Sequence, residues 1–174
     1  MIHPKVFLII LVLLPLVLSC NDNSNQPSSQ KGLIVKDGLL YTDSLSNIPF
    51  TGKYISEYKN KKIEFEVENG VKKGLFKLYF ENGKLEIEGR LANNKNNGEW
   101  KYYYPEGILQ SKGNFKNDTL TGKWFWFHKN GQISESGVFR NGFREGEWQS
   151  FDTNGVVQFT RIYSNGIEID SIKH

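Results

Sequence analysis

Cysteine is nearly missing from this chain: Cys20 stands alone among 174 residues, so no internal disulfide can staple the fold. Histidine is almost as scarce. His3 lies in an N-terminal segment expected to be removed, and neither His128 nor His174 has a partner at metal-ligand spacing. Alanine is rare while glycine reaches 17, a balance that points away from helices and toward strands and turns. No sign of charge dominates, since 22 Lys and Arg stand against 19 Asp and Glu for a net +3, or +2 once Lys5 is lost. Each strand-like run mixes both signs, which excludes the basic stripe that nucleic-acid binding needs. No apolar run reaches the ~20 residues that cross a bilayer; the run from Val6 to Leu18 is about 13 long. No nucleophile elbow, phosphate loop or paired acid and base is legible, so no catalytic residue, cofactor or metal is expected.

What is present is a repeat of 24 residues. Its blocks open at Gly74, Gly98, Gly122 and Gly146, with an aromatic two residues on (Phe76, Trp100, Trp124, Trp148) and another at Tyr79, Tyr103, Phe127 and Phe151. A second glycine follows (Gly83, Gly107, Gly131, Gly155), then apolar residues at Leu85, Leu109, Ile133 and Val157. Asparagines recur at Asn93, Asn117, Asn141 and Asn165. Matching of this kind marks an array in which each unit needs its neighbours.

Asn82-Gly83, Asn130-Gly131 and Asn154-Gly155, with Glu106-Gly107 in the same slot, separate runs of alternating apolar and polar residues. That predicts hairpins with two-residue type I′ turns. The register then sets Phe76 opposite Gly89, Trp100 opposite Gly113, Trp124 opposite Gly137 and Trp148 opposite Arg161, so that in three of the four pairs a ring lies over the bare backbone of the glycine facing it. Alternation puts Trp100, Tyr102, Tyr104, Leu109 and Phe115 on one buried face, with Trp124, Trp126, Ile133 and Phe139 in the next block. Tyr79, Tyr103, Phe127 and Phe151 point to a wetter face, where, with Phe125, they form a candidate binding surface for a protein partner or a cell-wall glycan. Glu64, Glu66 and Glu68 alternate along one strand as a solvated face, and His128 reads as a solvated turn residue.

The pattern G-x-W-x-x-[YF]-x-x-N-G-x-[LIV] resembles the bacterial variant of the MORN repeat over about residues 52–166, starting with a shorter copy at Gly52. It departs from the eukaryotic form, which carries further glycines where Tyr103 and Phe127 stand. The resemblance implies an all-β fold: an elongated single-layer antiparallel sheet of consecutive hairpins with no active site. Residues 32–51 are expected to cap the array as a degenerate hairpin, and 167–174 to form a final edge strand or tail. Relatives are sometimes labelled antitoxins, but the family looks like a set of scaffolds and interaction modules.

At the N-terminus the apolar run ends in Val17-Leu18-Ser19-Cys20, which resembles the lipobox of bacterial lipoproteins. That resemblance implies cleavage after residue 19, acylation of Cys20 and attachment to a membrane. An ordinary signal peptide or an uncleaved anchor are the alternatives. More than one acyl chain would hold the protein stably. Residues 21–31 contain no apolar side chain and read as a flexible tether spanning about 18 Å. Asn21 does not resemble the aspartate associated with inner-membrane retention, which favours the outer membrane of a bacterial envelope.

Overall fold

The computed structural model describes residues 32–174; the leader, Cys20 and the tether lie outside it. Fourteen strands and no helix make up the described chain. The first two, β1 (Ile34–Lys36) and β2 (Leu39–Tyr41), form a small separate hairpin. The others run as β3 (Gly52–Tyr58), β4 (Lys61–Glu68), β5 (Val71–Tyr79), β6 (Leu85–Ala92), β7 (Lys95–Asn96), β8 (Gly98–Tyr103) and β9 (Leu109–Lys116). The chain continues through β10 (Thr119–Phe127), β11 (Ile133–Arg140), β12 (Phe143–Phe151), β13 (Val157–Ser164) and β14 (Ile167–Lys173). All twelve from β3 onward belong to one antiparallel sheet in sequence order, with β7 and β8 both pairing β6.

Two kinds of turn alternate along this sheet, and the two-residue turn expected at the Asn-Gly tips is not found there. At Asn82-Gly83 only the glycine has positive φ; the Gly83 N–H donates to the Phe80 carbonyl and the Phe80 N–H to the Lys84 carbonyl. That is a three-residue loop closed by a left-handed glycine, and it recurs before Gly107, Gly131 and Gly155. The two-residue turns with both φ values positive sit instead between blocks, at Asn93-Asn94, Asn117-Asp118, Asn141-Gly142 and Asn165-Gly166. The shorter first copy turns at Lys59-Asn60 in the same two-residue way, which accounts for its missing residues.

The expected register is present: Phe76 pairs Gly89, Trp100 pairs Gly113, Trp124 pairs Gly137 and Trp148 pairs Arg161. The rings, however, do not lie over those partners. A Cβ built on Gly113 would fall 2.1 Å from the Trp124 ring, and one on Gly137 2.1 Å from the Trp148 ring, while Gly89 lies under Trp100. Each tryptophan thus covers the glycine of the block before it. A bulge at the opening glycine makes this possible: between Thr121 and Phe125 the register against β9 slips, and Gly122 has φ of 67°. Nothing would meet a Cβ at Gly122, so glycine is required there for its backbone and at Gly113 for its space. The indole N–H then donates to the next carbonyl of the covered strand, Trp100 to Arg90, Trp124 to Asn114 and Trp148 to Val138, each at 3.2 Å.

The core is this layer of rings. Phe76, Trp100, Phe115, Trp124, Phe139, Trp148 and Tyr163 follow one another at centroid distances of 5.0 to 6.2 Å. Phe115 and Phe139 stand edge-on between flat indoles, the arrangement that ring quadrupoles favour. Fenced by Tyr102, Phe115, Trp126 and Phe139, Trp124 is 0% exposed although no second sheet covers it. At one end the β1–β2 hairpin packs on the array through the Leu40 N–H to the Gly70 carbonyl, and the segment that follows it through the Gly70 N–H to the Phe50 carbonyl.

Trp124→Ala should cost about 3 kcal/mol or more, and Gly113→Ala about 2 kcal/mol from overpacking, both read from chemical denaturation. In double-mutant cycles Trp124 should couple strongly to Gly113 and much less to Gly137; the opposite order would restore the covering inferred from sequence.

Candidate functional site

The face opposite the ring layer carries the candidate surface. Each strand delivers its odd or even set there by alternation, and the residues at one level are successive register partners: Glu64, Lys77, Glu88, Lys101, Lys112, Phe125, Ser136, Gln149 and Thr160. Charge alternates from Glu64 to Lys101, Lys112 repeats the positive sign, and the row is uncharged from Phe125 on.

Tyr79, Tyr103, Phe125, Phe127 and Phe151 are all half-buried. Phe125 and Phe127 stack at 6.5 Å with planes 29° apart; no ring contact joins the other three among the described residues. Lysines, which the sequence reading did not attach to these rings, complete the surface. Lys62 sits 5.2 Å from the Tyr79 ring centre, and Lys112 and Lys123 sit 5.6 and 5.3 Å from that of Phe125, within the range of cation–π attraction. The available signal was Lys123 two residues before Phe125, hence on the same face. Lys112 and Lys62 come from neighbouring strands. Partial burial and the nearby Glu88 raise the Tyr103 phenol. A depression of about 250 Å³ touches Tyr103, but its lining includes Ile87 and Tyr102, which pack on the ring layer, so it is not a pocket of this row.

The acidic row is not a uniformly solvated face. Glu64 is buried and bridges Lys53 at 2.7 Å and Lys62 at 2.6 Å; hydrogen bonds from these two ammonium groups pull its carboxyl down to about 2. Glu68 pairs with Lys73, and the Glu66 carboxylate lies against Gly74. Each acid is thus directed to a different neighbour, and no group of three potential metal ligands converges among the described residues.

His128 is also placed differently from expectation. It is half-buried, and its Nε2 lies 2.9 Å from the Phe151 carbonyl, to which it donates. Tyr104 makes the equivalent bond one block earlier, from its hydroxyl to the Phe127 carbonyl at 3.1 Å. Both side chains therefore tie one block to the backbone of the next. On the covered face, burial pushes the Tyr102 phenol up to about 12, and Arg144 lies 3.9 Å over Trp148 while forming a two-pronged pair with Glu135.

The blocks defined by this geometry coincide with four matches to one family, described as MORN repeat variant, at residues 72–93, 96–117, 120–141 and 144–165. The chain belongs to that family. The matched segments cover just over half of its 174 residues. Each MORN segment opens on the strand residue tied to the two-residue turn that closes it: Asn94 donates to the Lys72 carbonyl, Asp118 to Asn96, Gly142 to Leu120 and Gly166 to Arg144. MORN repeats are binding and scaffolding modules, generally without catalysis. No curated protein matches the chain.

Two measurements separate the faces. Tyr103→Ala should cost about 1 kcal/mol, well below Trp124→Ala; equal losses would mean that the half-buried row is core. Because the Glu64 carboxyl is lowered from 4.5 to about 2 on folding, its contribution is present above the unfolded value and lost as pH falls through the folded one. Glu64→Gln should therefore lower the melting midpoint at pH 7, and the gap from wild type should close between about pH 4.5 and pH 2.

Proposed function

We propose that this chain is a lipid-anchored protein of the bacterial envelope whose MORN sheet is a non-catalytic binding module, docking a protein partner on the Tyr79–Phe151 face. The observation that carries the reading is the row of half-buried rings on the face away from the tryptophan layer. Rings that fold the sheet sit over glycine on the other side, whereas Tyr79 and Phe125 are left half accessible beside lysine ammonium groups, with Tyr103 and Phe127 half accessible on the same face. Aromatic side chains held rigid by a sheet lose little entropy on contact and are the usual anchors of protein interfaces.

Anchoring rests on Val17-Leu18-Ser19-Cys20 and the apolar run before it. Asn21 favours the outer membrane. A second reading, a cell-wall glycan, is favoured by spacing: equivalent rings recur every two strands, ~9.5 Å apart, which suits a ligand with its own repeat. An antitoxin or immunity role fits less well, because an exported chain does not meet a cytosolic toxin.

Mass spectrometry of the mature N-terminus should find an acylated Cys20 as first residue; an unmodified cysteine, or a chain starting at Met1, removes the anchor. Pull-down from detergent-solubilised envelopes should capture a protein whose recovery drops at least tenfold with Tyr103→Ala/Phe125→Ala. Retention on peptidoglycan without any protein would favour the glycan reading.

A further inference from the structure

The two ends of the sheet are finished differently. The β3 end carries the β1–β2 hairpin, whose Leu40 joins the buried core. The other end is β14, which pairs β13 on one side and no strand on the other among the described residues. All of its residues are exposed, including Ile167 at 69%, Ile169 at 63% and Ile172 at 52%. Soluble sheets blunt such edges with short strands, proline, bulges, charged side chains or covering segments, because an open edge pairs with other strands. β14 has seven residues and no proline, and its one bulge and three charged side chains still leave Ile167, Ile169 and Ile172 exposed.

We propose that β14 is a homodimerisation edge, pairing antiparallel with β14 of a second copy about a two-fold axis at Ser171. The argument is self-complementarity. A bulge at Ile169 leaves Glu168, Ser171 and Lys173 opposite Tyr163, Arg161 and Phe159 of β13, hence evenly spaced and on one face. The His174 N–H donates to the Gln158 carbonyl of β13, so alternation turns the backbone groups of Lys173 and Ser171 outward. In agreement, the Ser171 N–H points away from β13, where it donates to Asp170 Oδ1, a bond that pairing across the axis replaces. A two-fold axis through Ser171 then lays Glu168 of each copy against Lys173 of the other, and Ile172 against the bulged Ile169–Asp170 pair.

The charges select this partner and this direction. Acids Glu168 and Asp170 fill the first half of the strand and Lys173 ends it, so antiparallel self-pairing opposes unlike charges while parallel pairing opposes like ones. Glu168 is already held on its face by Arg161 Nε at 3.8 Å and the Tyr163 hydroxyl at 3.2 Å. Lys173 has no acid in ion-pair range in its own copy among the described residues. An isologous contact of this kind closes at two copies.

Sedimentation equilibrium of the full chain in excess detergent tests the proposal. A concentration-dependent dimer is expected. Lys173→Glu should weaken it at least tenfold, and Glu168→Lys/Lys173→Glu should restore it. Ser171→Pro removes an outward N–H outside the β13 ladder and should abolish the dimer, with an unchanged melting midpoint at concentrations where the wild type is monomeric. If that variant loses its terminal strand, the charge-swap pair still decides. A monomer at every concentration, a dimer indifferent to Lys173→Glu, a failed restoration by the double swap, or open-ended assembly through the β3 end would each overturn the assignment.

Discussion

Everything in this sheet depends on a tryptophan lying flat on the backbone of the preceding block. A single-layer sheet has no partner layer to cover its apolar face, so burial must come from within the face itself. An indole laid across a glycine achieves that. It removes about 150–250 Å² from water, worth about 4–6 kcal/mol as an upper figure, and its N–H finds a carbonyl on the strand beneath. Because ring and glycine belong to different blocks, the stabilisation is inter-block by construction, and cooperativity passes along the array through one contact type.

The ends show the same constraint in the negative. Phe65 of β4 occupies the place that glycine holds in the later blocks, so Phe76 has no bare backbone to cover and stays half-buried. Tyr54 and Phe65 pack ring to ring at 5.0 Å there instead, and the β1–β2 hairpin supplies the cover that the repeat cannot. At the far end Arg161 stands where a glycine would, and its guanidinium lies 4.7 Å from the Phe159 ring. β14 carries no tryptophan and is wholly exposed.

The two faces also differ in what holds them. The ring face is covered by geometry that leaves no freedom. The opposite face is held by lysine against carboxylate or ring, contacts of modest energy that solvent screens, and its rings remain partly accessible. A repeat array separates stability from recognition in this way: the covered face can be constant from block to block while the wet face varies, as it does where Lys77 and Lys101 give way to Phe125 and Gln149.

Much of this was legible in the residues. The 24-residue spacing, alternation and paired glycines determined the strand count per block and the faces, because these follow from local geometry. The expected register is met because a bulge near each hairpin tip, as between Trp126 and Phe127, offsets the extra residue of the three-residue loop. Candidate rings Tyr79, Tyr103 and Phe127 could be placed on the second face for the same reason. Tertiary structure alone decided which neighbour each ring covers, since Trp124 is flanked by glycine on both sides, Gly113 and Gly137, and only the bulge at Gly122 directs the indole backward. It also decided which Asn-containing pair takes the two-residue turn, because Asn82-Gly83 and Asn93-Asn94 are both compatible with positive φ and the ladder on either side selects between them. The lysines over Phe125 and the pairing of buried Glu64 depend on side chains from adjacent strands meeting at one level, and that contact exists only once the sheet has formed.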